Sequence, residues 1–166
     1  ASNFLLTRGV TEIPTNVENA TVTYSADSKI IGKGNINMND FKYVFGPIPS
    51  RRLGRSLGIS PLPKKTCNYS CIYCQLGRTD KMTNKRQEFY KTEDIIAEFK
   101  QYLKDSDKFD IVTVVGEGEP TLAANLGELV VALKALTDKP VAVITNGALL
   151  SDPQVREELC HADMVL

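Results

Sequence analysis

Three cysteines within eight residues, Cys67, Cys71 and Cys74, are the side chains of this sequence best suited to chemistry. Thiolates are soft, anionic ligands that suit iron-sulfur clusters, and a C-x3-C-x2-C spacing lets one loop wrap successive sulfurs around a single centre. Three local ligands leave one iron of a cubane without a cysteine. Such an iron can chelate a small molecule, whereas a cluster held by four cysteines is built mainly for electron transfer. A zinc site needs a fourth ligand, for which Cys160 or His161 can be proposed, but the commoner zinc patterns are two C-x2-C pairs or a Cys2His2 set. A ferredoxin-like carrier fits less well, because its clusters take four cysteines and its bacterial signature is C-x2-C-x2-C-x3-C-P.

Two further segments stand where apolar runs stop. Gly116-Glu117-Gly118-Glu119-Pro120 follows one run and Thr145-Asn146-Gly147 follows the next. Glycine permits close backbone approach to a ligand, and a carboxylate can pair with an ammonium group. Each segment also reads as an ordinary turn, since Gly, Pro and Asn are the usual turn formers.

The cysteine run, with the aromatic Tyr73 before its last cysteine, resembles the hallmark of the radical S-adenosylmethionine (radical SAM) superfamily. The resemblance implies a four-iron four-sulfur (4Fe-4S) cluster on Cys67, Cys71 and Cys74, with Tyr73 packed near it. The fourth iron of such a cluster binds the amino and carboxylate groups of S-adenosylmethionine. Electron donation then cleaves that cofactor to methionine and a 5′-deoxyadenosyl radical, which abstracts hydrogen from a substrate. An external one-electron donor such as flavodoxin or ferredoxin is implied with it. The segment at 116–120 resembles the family's GGEP motif, whose backbone and acid receive the cofactor's amino group; here Glu117 stands in place of a glycine, so Glu117 and Glu119 both remain candidates. Thr145 and Asn146 fall on the edge that the family uses for ribose or methionine contacts. Gly46 to Gly58, together with Cys74 to Arg78, looks like the branch grouped with wyosine-type tRNA-modifying oxidoreductases, which makes tRNA a candidate partner. The likeness covers Phe41 to Leu166.

The elements that position these residues alternate as in a parallel sheet with crossover helices. Leu57 to Leu62 is predicted as the first strand and residues 64–91 as a long polar loop. Thr92 is expected to cap a helix with Glu93 and Asp94 in its first turn and Ile95, Ile96, Phe99 and Leu103 on one face. Asp110 to Val115 is predicted as a buried parallel strand. Asn125 with Glu128 resembles a capping box for a helix with the stripe Leu126, Leu129, Val130, Leu133 and Leu136. Val141 to Ile144 is the third strand, Asp152-Pro153 starts a third helix, and Asp163 to Leu166 opens a fourth strand. The expectation is α/β: a partial (β/α) barrel of the radical SAM type, truncated at about the fourth strand, with the cluster loop after the first strand.

The chain of 166 residues has no formal net charge, yet residues 42–91 hold eleven Lys or Arg against Asp80 and Glu88 alone, a local excess of +9. Such a block attracts RNA or an anionic cofactor, or is a solvated surface with a few ion pairs. The second reading of the whole chain follows from it: a zinc- or iron-sulfur-stabilised module that binds RNA, or is merely structural, without catalysis. Residues 1–37 read as an extension, a fused segment or a translated leader, with a short strand at Val22 and Tyr24, and Met38 as a natural start. With no secretory start and no apolar run of membrane-spanning length, the cytoplasm is the expected location. Cys160 is expected as a buried thiol at a helix end, and His161 as an exposed helix-terminal residue.

Overall fold

The computed structural model describes residues 41–166. The expected extension, its Val22–Tyr24 alternation and the start at Met38 lie outside the described residues. In chain order the elements are β1 (Val44–Ser50), β2 (Gly54–Ile59), β3 (Thr66–Cys67), β4 (Lys81–Met82), α1 (Thr92–Asp105), β5 (Ile111–Val114), α2 (Leu126–Lys134), β6 (Val141–Val143), α3 (Pro153–Leu159) and β7 (Met164–Val165). A short 3-10 turn covers Pro120–Leu122.

Five strands form one sheet in the order β1-β2-β5-β6-β7, and β2, β5, β6 and β7 run parallel. Crossovers between parallel strands are right-handed, so adding each new strand on the same side sends all three helices to one face. The contacts of α2 with both α1 and α3 agree with that layering. Alternation along the strands then decides which side chains meet the helices. Leu57, Ile59, Val112, Val114, Val141 and Val143 join Ile95, Phe99, Leu129, Val130 and Leu133 in one buried cluster. Burying each of these side chains stabilises the fold by about 1.5–3 kcal/mol. The intervening residues Gly58, Thr113 and Ala142 lie in register across β2, β5 and β6 on the opposite side. Gly58 is required there, because a Cβ would stand 2.2 Å from Phe45 Cε2.

The α/β class and the four parallel strands are as expected, and several boundaries and caps are not. The first parallel strand starts at Gly54 and stops at Ile59, three residues short of the predicted end, because the Ser60 hydroxyl turns back to donate to the Leu62 carbonyl. An antiparallel strand, β1, precedes it and was hidden in the sequence by Gly46, Pro47 and Pro49, residues that read as breakers but are tolerated at a sheet edge. Glu98 of α1 docks the start of β1, accepting from the backbone N–H groups of Lys42, Tyr43 and Val44. Within the loop of residues 64–91, β3 and β4 pair in parallel over two residues each.

Thr92 does not cap α1. Lys91 holds that position without a side-chain bond, and the buried Thr92 hydroxyl accepts from Asn125 Nδ2 at 3.0 Å. The capping box of α2 is absent as well: Asn125 Nδ2 donates to the Thr92 hydroxyl and the Tyr90 carbonyl, and its Oδ1, the atom a cap would use, meets no helix N–H. These two side chains fasten the helix starts to one another instead. The third helix begins as read, with Asp152 Oδ1 accepting from Gln154 N at 2.9 Å ahead of Pro153.

Asp110, just before β5, accepts from the backbone N–H of Arg55 at 2.7 Å and from its guanidinium at 3.2 and 2.8 Å. The side-chain and then the backbone hydrogen bonds of Arg55 pull the Asp110 carboxyl down to about 2 from 3.8. A depressed carboxyl stabilises the fold above its unfolded pKa and loses that contribution as pH falls through the folded value. Thermal melts between pH 4 and pH 2 should therefore fall less steeply for Asp110→Asn than for the unaltered chain.

Candidate metal centre

The C-terminal ends of β2, β5 and β6 bring together the three segments that the sequence singled out separately. After β2, Ser60 accepts from Glu117 N at 3.1 Å, while Val115 N and Gly116 N both donate to the Ile59 carbonyl at 3.3 Å. The 116–119 turn thus lies along the chain leading into the cysteine loop. Contact continues at β3, where Glu119 N donates to the Thr66 carbonyl at 3.2 Å and Thr83 N to the Cys67 carbonyl at 3.1 Å. Gly118 makes the approach feasible: a Cβ there would sit 1.8 Å from the Thr66 oxygen and 2.7 Å from Leu62 Cδ1. Because the obstruction is backbone next to Cys67, Gly118→Ala is expected to cost about 1–3 kcal/mol, and to lower the melting temperature by about 2–4 °C for each kcal/mol lost.

All three cysteines of the run are free thiols; Cys67 and Cys71 are half-buried and Cys74 is exposed. Cys67 Sγ accepts from Tyr69 N at 3.4 Å and from Asn146 Nδ2 at 3.8 Å. Cys71 and Cys74 belong to consecutive tight turns, since Cys74 N donates to the Cys71 carbonyl and Gly77 N to that of Cys74. Tyr73 is 85% exposed. Its phenol is held above the ordinary range, first by hydrogen bonding with Cys71 and then by the charge of Cys71, with lesser effects from desolvation and Cys74. So Tyr73 lies beside the Cys71 thiol, but on the solvent side of the loop.

Glu119 and Glu117, alike in sequence, have different surroundings. Glu119 is only 2% exposed, and its carboxylate accepts from Thr121 N, the Thr121 hydroxyl, the Thr145 hydroxyl and Asn146 N. Glu117 is half-buried and meets Lys64 at 3.4 Å. Glu119 therefore ties the end of β5 to the end of β6, and Glu117 keeps accessible oxygen. Gly116, at φ +61°, supplies the turn between them and β5.

The donor set fits an iron-sulfur cluster in its chemistry. Three unpaired thiols share one loop, backbone and amide N–H groups already point at the Cys67 sulfur, and the neighbouring Asn68, whose Oδ1 meets that sulfur at 3.9 Å, has a buried Nδ2 without a hydrogen-bond partner. Among the described residues no three His, Cys, Asp or Glu side chains converge closely enough to hold a single ion. Assembly would therefore draw Cys71 and Cys74 toward Cys67, a movement confined to an exposed loop.

A sequence model described as the Radical SAM superfamily matches residues 63–165. The chain belongs to that superfamily. Among curated relatives, a UPF0026 protein of Synechocystis sp. is 48% identical over 126 residues, which cover 75% of this chain and 47% of that protein. A protein of Brachyspira hyodysenteriae named GTPase Obg is 46% identical over 125 residues, 75% of this chain and 18% of its own length. A more distant relative, a probable GTP 3′,8-cyclase of Saccharolobus islandicus, is 33% identical over 102 residues, 60% of this chain and 30% of that protein. The chain thus spans less than half the length of these relatives. No solved structure matches.

For a radical SAM domain the basic block is partly neutralised in place. Arg55 pairs with Asp110, Lys64 with Glu117, Lys65 with Asp80 and Arg86 with Glu158. Lys42 and Lys81 lie over aromatic rings. The sequence reading missed Asn68 and Thr121, both buried partners of the named residues. Only their adjacency to Cys67 and Pro120 could have marked them. It also placed Cys160 in the core; the thiol is exposed, on the rim of a depression lined by Leu150, Leu159, Met164 and Val165, because α3 ends one residue earlier. His161 is exposed as read. No helix among the described residues is long and apolar enough to cross a membrane.

Proposed function

We propose that Cys67, Cys71 and Cys74 hold a 4Fe-4S cluster and that S-adenosylmethionine binds across the ends of β2, β5 and β6. The observation that carries this reading is the direct hydrogen bonding of the cysteine loop to both the 116–119 turn and Asn146. When bound, cluster and cofactor supply one-electron cleavage to methionine and a 5′-deoxyadenosyl radical for hydrogen abstraction. The protein's own part is positioning and electrostatics. Glu117 and the backbone of Gly116 and Gly118 receive the ammonium of the methionine end, where accessible carboxylate and carbonyl oxygens are available. Glu119, holding four donors, fixes Thr145 and Asn146 at the height of the cofactor. Tyr73 covers the solvent side of the loop.

The sheet is one wall of a (β/α) barrel, and the remaining substrate contacts belong to the parts of longer relatives that this chain does not match. An external one-electron donor such as flavodoxin or ferredoxin supplies the electron, in the cytoplasm. Transfer RNA is the candidate substrate, from the likeness to the tRNA-modifying branch and from the excess of Lys and Arg over Asp and Glu in residues 42–91.

Anaerobic reconstitution, dithionite and S-adenosylmethionine should yield 5′-deoxyadenosine and methionine in equal amounts. A protein that holds its cluster and forms neither would refute catalysis by this chain, and zinc retention without an iron chromophore would favour the metal-stabilised module. Filter binding of tRNA across a salt series tests the substrate: affinity should fall steeply as salt rises, and absence of binding at low salt removes tRNA.

A further inference from the structure

Asn146 does more than end β6. Its backbone N–H donates to Glu119 Oε2 at 2.8 Å, and its Oδ1 accepts from Ala148 N at 3.0 Å. With the carbonyl end of the amide engaged on its own loop, the Nδ2 end is left to face the cysteine loop. There it donates to Asn68 Oδ1 at 2.7 Å and to Cys67 Sγ at 3.8 Å. Asn68, at 8% exposure, thereby uses its own carbonyl oxygen, which also accepts from Cys67 Sγ at 3.9 Å, and its Nδ2 is buried without a partner. A buried N–H lacking an acceptor is unfavourable, and native proteins rarely leave one so. Because the oxygen end of this amide already meets the Cys67 thiol, the acceptor that suits its Nδ2 is an anionic sulfide of the cluster itself.

We propose that Asn146 and Asn68 form an amide relay that positions the Cys67 sulfur and raises the reduction potential of the cluster bound there. This rests on the cluster reading above. N–H donors to sulfur stabilise the more negative, reduced state, so their number and alignment set the potential. Asn146 and Asn68 are positioning residues: they act through Cys67 and the cluster sulfur, and carry no part of the bond chemistry. The relay also links potential to the cofactor side of the site, because the same Asn146 is held by Glu119 together with Thr145.

The test uses the anaerobically reconstituted chain and two uncharged substitutions, Asn146→Ala and Asn68→Leu, the second close in size to the original. Midpoint potentials are read by EPR-monitored titration, with iron and sulfide content measured in the same samples. Each variant should shift the oxidised-to-reduced ratio about tenfold toward oxidised at a fixed potential, which for one electron is a drop of about 59 mV. Asn146→Gln, which keeps an amide N–H, should recover part of the drop; should Asn146→Ala fail to fold, Asn146→Gln and Asn68→Leu still report. Unchanged potentials in variants with full clusters would overturn the relay and leave the two amides as a structural pin. Failure of the unaltered chain to take up iron and sulfide would instead defeat the cluster reading.

Discussion

Reconstituted without oxygen, the chain is expected to carry about four irons and four sulfides and to show the broad absorbance of a 4Fe-4S cluster. Serine at Cys67, Cys71 or Cys74 should each reduce bound iron to near background, while Cys160→Ser should leave it unchanged. The size of the effect follows from ligand count. Outer-sphere partners of a metal already matter by about 10–100-fold, and a thiolate ligand matters more, because an alcohol at neutral pH offers no soft anion in its place. With only three ligands on the loop, loss of one leaves two. Cys160 supplies the control because it is equally free but belongs to the end of α3. Iron content indifferent to all three loop substitutions would remove the enzyme reading altogether.

Replacing Glu119 is expected to cost more stability than any other single change at the site. Glu119→Ala leaves the Thr121 N–H, the hydroxyls of Thr121 and Thr145, and the Asn146 N–H without their acceptor. Hydrogen bonds to a charged group contribute about 1.5–3 kcal/mol each, and the hydroxyls can rotate to new partners, so a net loss of about 3 kcal/mol or more is expected. Against a typical total of about 5–15 kcal/mol, that is a large share. Glu119→Gln is no rescue: its amide nitrogen would confront either the Asn146 N–H or the Thr121 N–H, donor against donor. Denaturant titration of the metal-free chain checks both variants. A midpoint for Glu119→Ala equal to that of the parent would show that the four donors find water or other acceptors at no cost.

What could be read from the sequence was the chemistry carried by contiguous runs. The cysteine spacing, the Gly-Glu turn and Thr145-Asn146 announce themselves because each is local and each follows an apolar strand. That the three would share one edge followed from strand polarity alone, since parallel strands present their C-terminal ends together. Pairings across long separations were not legible. Asn68 and Asn146 meet over 78 positions, and nothing in either neighbourhood names the other. The helix caps failed for a related reason: Thr92 and Asn125 have the right types for local capping, but tertiary proximity let them bond each other. Glu117 and Glu119 could be separated only by burial, which two residues of identical chemistry and adjacent position do not disclose.

The antiparallel strand β1 has a bearing on solubility. It occupies the free margin of β2, and two of its seven residues, Pro47 and Pro49, have no N–H to offer a neighbour. A ribbon so short of donors is a poor template for another copy, which keeps molecules from zipping together along that border.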